Sequence, residues 1–478
     1  MKKQVVINVF WSFGEQLLRK GSSVLITLIL AWFLTPDDYG LVGVISIFLA
    51  VSFAFVEGGY RIALIRRKEV TQSELNTAFY TNIALSLFLY AIIWTAAPWI
   101  ADFYEQERLS LLLRVSALCL ILQAFSIVHS TVMQRKMMFK LQVMTSLPAS
   151  IISGLIAAAL AYGGLGVWAI IAQMLLFPLI NGLLFWRTRI WQPSLGFSVQ
   201  DLKSLSRFSL LILLTDLQRE FFAKMYIATI AKLFTLSVAG LYFFADKVRE
   251  IVVQQLVTAV QQVTYPALAG IQDDDARLLD GYRRIIRLSV FVIYPAFLCL
   301  SALSEPLFEF LLPDKWLSAA PYFQVMLISA LLVPLHRING NIIQVKNKPN
   351  WMLCLGIFES GSLMLVLLFS HDYGVYWILW GHFIATTFVY LVKSVFTRRL
   401  VGYGYVMQIT DILPTLLIAI LAFGSMGWLA HVWQAPSYLK LFGLGALGMG
   451  IYFALAHLFS VGGYLMLRDL LKGGLRKA

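Results

Sequence analysis

Phe33-Leu34-Thr35-Pro36-Asp37-Asp38-Tyr39-Gly40-Leu41 is a short polar break between two long apolar runs. A similar break recurs 200 residues later, as Leu233-Phe234-Thr235 followed by Gly240-Leu241. Ala31 then falls on Ala231 and Arg19 on Arg219. The flanking runs are long enough to cross the hydrocarbon core of a bilayer, which takes about 20 mostly apolar residues. Working outward, the same alternation of apolar run and short break fills the chain.

Of the 478 residues, 59% are hydrophobic and only 13% charged, about half the roughly 25% usual in a soluble chain. That excludes a cytosolic enzyme, a nucleic-acid-binding domain and a disordered protein. About fourteen candidate spans follow, near 10–34, 40–57, 77–100, 110–130, 142–162, 165–186, 208–233, 237–262, 286–304, 321–344, 351–370, 374–396, 411–431 and 440–467. The first, seventh and eighth are the least apolar. The expected fold is an all-α polytopic membrane protein. Six spans separate the two copies of the break, and an even number preserves orientation, as in a parallel repeat. The spacing predicts an N-terminal six-helix lobe (1–200), a second six-helix lobe (201–400) and a terminal helix pair (401–478).

The net charge of +13 reads first as topology, because Lys and Arg accumulate in cytoplasmic loops. With the N-terminus inside, about 26 basic residues fall in inside segments and about five outside, the latter being Arg108, Arg114, Lys232, Lys315 and Lys440. Both termini are expected in the cytoplasm. The first apolar run is interrupted by Glu15, Arg19 and Lys20, unlike a cleavable signal peptide. Cys119, Cys299 and Cys354 lie far apart in apolar runs and suggest no disulfide or zinc site. No loop is long enough for a soluble catalytic domain, so no catalytic residue, metal or cofactor is expected.

An ionised side chain in mid-membrane costs roughly 2.5–3.5 kcal/mol on insertion scales and therefore faces protein or water. The first span carries Glu15, Arg19 and Lys20; the seventh carries Asp216, Arg219, Glu220 and Lys224; the eighth has Asp246, Lys247, Arg249 and Glu250. Arg337 falls in the tenth and Glu359 in the eleventh. Glu15–Arg19, Asp216–Arg219 and Glu220–Lys224 are spaced to pair within their own helices. Span 1 still keeps one base in excess, and arginine's planar fork suits a phosphate. Arg19, Lys20, Arg219, Lys224, Arg249 and Arg337 are the candidate contacts to a diphosphate or anionic glycan. Glu15, Asp216 and Glu220 are the candidates for ion coupling. Pro178, Pro295 and Pro334 fall inside spans and serve as hinges or as static kinks. Trp99, Trp316, Trp351 and Trp433, near span ends, are expected in the interfacial belt.

Several stretches together resemble a known family. They are Leu34-Thr35-Pro36-Asp37-Asp38-Tyr39-Gly40, Ile65-Arg66-Arg67-Lys68-Glu69, Met133-Gln134-Arg135-Lys136 and Ala239-Gly240-Leu241-Tyr242, then Tyr265-Pro266-Ala267-Leu268-Ala269-Gly270-Ile271-Gln272-Asp273-Asp274, Asp314-Lys315-Trp316 and Lys346-Asn347-Lys348-Pro349. The chain resembles the Wzx-type lipid-linked oligosaccharide flippases, in the polysaccharide-transport branch of the multidrug/oligosaccharidyl-lipid/polysaccharide (MOP) exporter superfamily. Within it the colanic-acid-exporter-like lipopolysaccharide biosynthesis proteins are most similar. The resemblance implies a flippase of the bacterial cytoplasmic (inner) membrane. It would move undecaprenyl-diphosphate-linked oligosaccharide units outward for exopolysaccharide or lipopolysaccharide biosynthesis. Alternating access coupled to a proton or sodium gradient is expected. The partners implied are the lipid-linked oligosaccharide and membrane lipids, with no nucleic acid. A monomer is expected, able to associate with the polymerase of its pathway. The alternatives are an ion-coupled small-molecule exporter of the same superfamily and a membrane enzyme of glycan assembly.

Overall fold

The computed structural model describes residues 21–22, 24–57, 60–67, 69–271 and 274–475. Those residues form helices joined by short turns, with no strand among them. Among the described residues, eleven helical segments are long and apolar enough to cross a membrane. They coincide with eleven of the expected spans. The remaining three expectations fall on the charged stretches. The first is described only from residue 21 and contains α1 (Val24–Phe33). The other two are α9 (Val199–Leu233) and α10 (Leu236–Ala269), continuous helices of 35 and 34 residues.

The chain separates into two compact units, residues 1–243 and 244–478. In the first, α2 (Pro36–Glu57) packs on α9, while α4 (Gln72–Phe103) packs on α5 (Glu107–Ser116) and α6 (Leu118–Arg135). α7 (Phe139–Tyr162) and α8 (Val167–Arg187) form an antiparallel pair. The short α3 (Tyr60–Arg66) contributes Ala63 and Leu64 to a core with Phe79, Val128, Trp191 and Leu205. α4 starts on a capping box: the Thr71 hydroxyl accepts from the Glu74 N–H, and the Glu74 carboxylate accepts from the Thr71 N–H. Glu74 also pairs with Arg67. Two orphan donors are thus satisfied at the basic end of the helix.

In the second unit, α11 (Asp275–Ala302) packs on α13 (Ala320–Ala330), α17 (Tyr405–Val432) and α19 (Gly462–Leu475). α15 (Pro349–Ser370) packs on α16 (Val375–Val401). α12 (Ser304–Leu311), α14 (Val333–Val345) and α18 (Gly445–Leu458) complete the unit. Its core gathers Tyr282, Ile286, Val290, Ile338, Ile342 and Tyr403.

Two expectations change in detail. Pro178 and Pro295 lie inside α8 and α11. Pro334 instead sits in the first turn of α14, just past a break at residues 331–332. Its missing N–H costs nothing there, because first-turn donors have no intrahelical acceptor. Trp99 and Trp433 are exposed, as belt residues should be, whereas Trp316 is fully buried with its ring 4.3 Å from Phe244. Trp316 belongs to the core.

The two copies of the opening break share one backbone design. The Leu34 N–H donates to the Leu30 carbonyl at 2.9 Å, and the Phe234 N–H to the Ile230 carbonyl at 3.0 Å. The Thr35 hydroxyl accepts from the Asp38 N–H at 3.3 Å, and that of Thr235 from the Val238 N–H at 3.4 Å. Each threonine therefore caps the helix that follows. The starts of α2 and α10 cross at their glycines. A Cβ added to Gly40 would overlap the Leu236 carbonyl, and one added to Gly240 would overlap the Pro36 carbonyl. A shift of 200 turns the first contact into the second. Such reciprocity is what a local two-fold axis requires.

Candidate functional site

The charged side chains that hydropathy alone would forbid gather in three places. On α9, Arg219 is exposed and bonds two carboxylates of its own helix, Asp216 at 3.1 Å and Glu220 at 3.5 Å. The pairing expected between Glu220 and Lys224 is replaced by this bridge, in which one Arg219 nitrogen meets both carboxylates. Lys224, half-buried one turn further on, makes no ion pair among the described residues. Glu15, Arg19 and Lys20 lie outside the described residues.

In the second unit, titratable groups from four helices converge. Arg249 of α10 holds Asp246 at 2.5 Å, one turn away. Lys393 of α16 donates to Glu359 of α15 at 2.6 Å, and Lys393 is well buried. His382 lies in electrostatic reach of Asp246, Arg249 and Glu359, so it links the two pairs. His336 and Arg337 of α14 both act on Glu359. The His336 Nε2 lies 3.1 Å from the Thr386 carbonyl, which makes it the N–H donor. The Nδ1 is buried with no hydrogen-bond partner among the described residues. The group holds three bases, Arg249, Arg337 and Lys393, two carboxylates, Asp246 and Glu359, and two histidines. Arg249 pairs with Asp246, and Arg337 lies in electrostatic reach of Glu359. Sequence reading missed His382 and Lys393, which sit singly in apolar runs, and His336, which is next to the candidate Arg337, whereas the charge of Glu359 was visible.

The third cluster ties α11 to α17. Asp411 is almost fully buried and accepts from Arg283 at 2.8 and 3.0 Å, from Arg287, and from the Tyr403 hydroxyl at 2.8 Å. Beside it, Gln408 accepts from the Tyr390 hydroxyl at 3.0 Å and contacts Asn339, which also bonds Tyr282. Arg283 and Arg287 read from sequence only as topogenic charge. Here they hold a carboxylate that removing either base would leave under-compensated. This cluster is a structural clamp, fully satisfied within itself.

Eleven apolar helical segments among the described residues make this a multi-pass membrane protein. The chain belongs to the polysaccharide biosynthesis protein family, whose sequence profile matches residues 29–321. It is 23% identical over 381 residues to the teichuronic acid biosynthesis protein TuaB of Bacillus subtilis (strain 168), covering 78% of this chain and 77% of the relative. It is 25% identical over 334 residues to the succinoglycan biosynthesis transport protein ExoT of Rhizobium meliloti (strain 1021), covering 70% and 67%. It is 21% identical over 366 residues to the lipopolysaccharide biosynthesis protein WzxC of Escherichia coli (strain K12), covering 75% and 74%. Among solved structures it matches the lipid II flippase MurJ in an inward closed conformation, with a TM-score of 0.75 at 14% identity, covering 98% of this chain and 100% of that one. An inward-facing multidrug transporter of the MOP superfamily matches with a TM-score of 0.62 at 17% identity, covering 80% and 94%. The protein is thus a multi-pass membrane protein of the polysaccharide biosynthesis family, with a fold shared by a lipid II flippase and a multidrug transporter. Its relatives and structural neighbours carry transport and biosynthesis names.

Proposed function

We propose that the protein moves an undecaprenyl-diphosphate-linked oligosaccharide from the cytoplasmic to the outer leaflet of a bacterial inner membrane, for surface polysaccharide assembly. Fourteen spans with both termini inside fit this reading. At 1.5 Å per residue, the 35 and 34 residues of α9 and α10 extend roughly 50 Å, more than the roughly 30 Å hydrocarbon core. Their charges then face protein or water. The problem solved is a diphosphate and a hydrophilic glycan that cannot enter hydrocarbon alone.

The observation that carries the reading is family membership. The bridging state of Arg219 suggests how cargo and ion could be coupled. A diphosphate that takes Arg219 releases Asp216 and Glu220, which are then free to bind a proton or sodium ion. By linkage, ion binding then loosens the carboxylates' hold on Arg219 and favours the anion in return. The Glu359–Lys393 pair with His336 and His382 offers a second set of groups for the same work.

The test is complementation in a strain lacking its own flippase. The wild-type chain is expected to restore surface polysaccharide, and Arg19→Glu combined with Arg219→Glu to abolish it at unchanged membrane level. Full export by the double variant would remove these arginines from the mechanism. Failure of the wild-type chain to restore export, with drug resistance on overexpression, would favour a small-molecule exporter.

A further inference from the structure

Within the first unit, α2, α3, α6, α7 and α8 border a cavity of about 200 Å³. Its lining is unusual for a space between apolar helices. Ser126 and Ser146 are more than nine-tenths buried, and neither hydroxyl has a hydrogen-bond partner among the described residues. The Asn181 side-chain oxygen is likewise buried and without a partner among them. All three residues border this one space. Each such group costs roughly 1–3 kcal/mol if nothing meets it, and lipid cannot supply the partner. The cavity is roomy enough for several waters or hydroxyl groups.

Its chemistry narrows the occupant. Serine hydroxyls donate and accept, and the carboxamides of Gln123, Gln142 and Asn181 do both from fixed positions. The one cation on the wall, Arg61, is balanced by Glu57 at 3.8 Å, so the lining is neutral in sum. The wall carries no excess positive charge to favour a phosphate over a neutral group. Phe177 and Phe185 add aromatic rings, and Ile127 and Pro178 aliphatic surface, to the polar groups on the wall. Gly182 fixes the geometry, because a Cβ there would come within 2.9 Å of the Ser126 hydroxyl oxygen. Mixed donors and acceptors, zero net charge and apolar surface that includes aromatic rings suit a neutral sugar ring.

We propose that this cavity is a subsite for a neutral sugar of the transported saccharide. The assignment rests on the transport reading above for its cargo, though not for its chemistry. The test uses the full-length protein in lipid nanodiscs, with Cys119, Cys299 and Cys354 replaced and Ser146→Cys introduced. The rate at which a small neutral maleimide alkylates the new thiol is followed with excess methyl glycosides of glucose, galactose and N-acetylglucosamine, and with glucuronate as the anionic control. At least one neutral glycoside should slow alkylation roughly tenfold, as near-complete occupancy requires, with glucuronate leaving it unchanged. Ser130→Cys, half-buried on the same wall, serves if the first variant misfolds.

Equal alkylation with and without every neutral glycoside overturns the proposal, and the cavity then holds water alone. A thiol that never reacts overturns it too, because the space would be sealed to solutes. Protection by glucuronate as strong as by the neutral sugars refutes the neutral assignment. Glycoside protection in a chain that fails complementation would sink the transport reading while leaving a sugar site standing.

Discussion

The two copies of the helix–turn–helix, 33–41 and 233–241, share a backbone and differ in chemistry. Thr35 and Thr235 cap alike, and the preceding helices end on equivalent hydrogen bonds. At the fourth position of the turn, however, Asp38 meets Val238. Asp38 accepts from both the Thr35 N–H and hydroxyl at 2.9 Å and from the Val167 N–H at 3.0 Å, which fastens α2 to the start of α8. Val238 can do nothing of the kind. Upstream, Trp32 faces outward in one copy, while Lys232 in the other reaches Glu105 at 2.8 Å. What the copies keep is the threonine and the glycine, the residues that set backbone geometry. What they vary is side-chain anchorage.

The strongest way to break the likeness is at the crossing itself. Gly240→Ala puts a methyl group into the Pro36 carbonyl, and Gly40→Ala puts one into the Leu236 carbonyl, and neither obstacle is a movable side chain. Alanine gains about 1 kcal/mol in helix propensity, but separating two packed backbones costs about 3 kcal/mol or more. Both variants should lose most of the monodisperse protein seen by size-exclusion chromatography in detergent. Gly361→Ala in α15 meets nothing within 4 Å and should be neutral or mildly stabilising. If the crossing variants match this control, the close approach of the copies is not a packing requirement.

A smaller effect is expected where the copies diverge. Asp38→Ala removes three hydrogen bonds to a carboxylate and leaves the Val167 N–H without its acceptor. That should cost roughly 1.5–3 kcal/mol, read as a fall in thermal unfolding temperature. Val238→Ala at the matching position should change stability by less than about 0.5 kcal/mol. Equal effects at the two sites would mean that Asp38 is not the anchor its geometry describes.

This contrast also explains what could be read from the sequence. A membrane span is a local signal, so the eleven apolar segments were visible as runs. The Asp216–Arg219 pair was visible because three-residue spacing puts both on one helix face. The repeat showed through Thr35/Thr235 and Gly40/Gly240 because backbone requirements tolerate few residue types. Asp411 was invisible as a clamp, because its partners Arg283 and Arg287 lie 128 and 124 positions away and only packing brings them together. His336 and His382 were passed over for the same reason: a single histidine gains meaning only from neighbours on other helices. Trp316 was misplaced because nearness to a span end does not distinguish an interfacial ring from one packed on Phe244.

The weakest expected effect sits on the other difference between the copies, Lys232 against Trp32. Lys232 donates to Glu105 and lies 5.0 Å from the Phe103 ring. Its hydrogen bond and charge hold the Glu105 carboxyl below the ordinary glutamate range. A lowered folded-state pKa means stabilisation that is present above the unfolded value, about 4.3, and lost as pH falls through the folded value. Wild type should therefore unfold at a higher temperature than Lys232→Gln at neutral pH, with the gap narrowing below about pH 4. Glu105 is highly exposed, so salt should shrink the same gap. Any difference that survives both acid and salt belongs to the ammonium over Phe103, which neither protonation of Glu105 nor modest screening removes. A gap constant from neutral to acid pH would show that the carboxylate contributes nothing, and that this copy is held at its outer end by the aromatic contact alone.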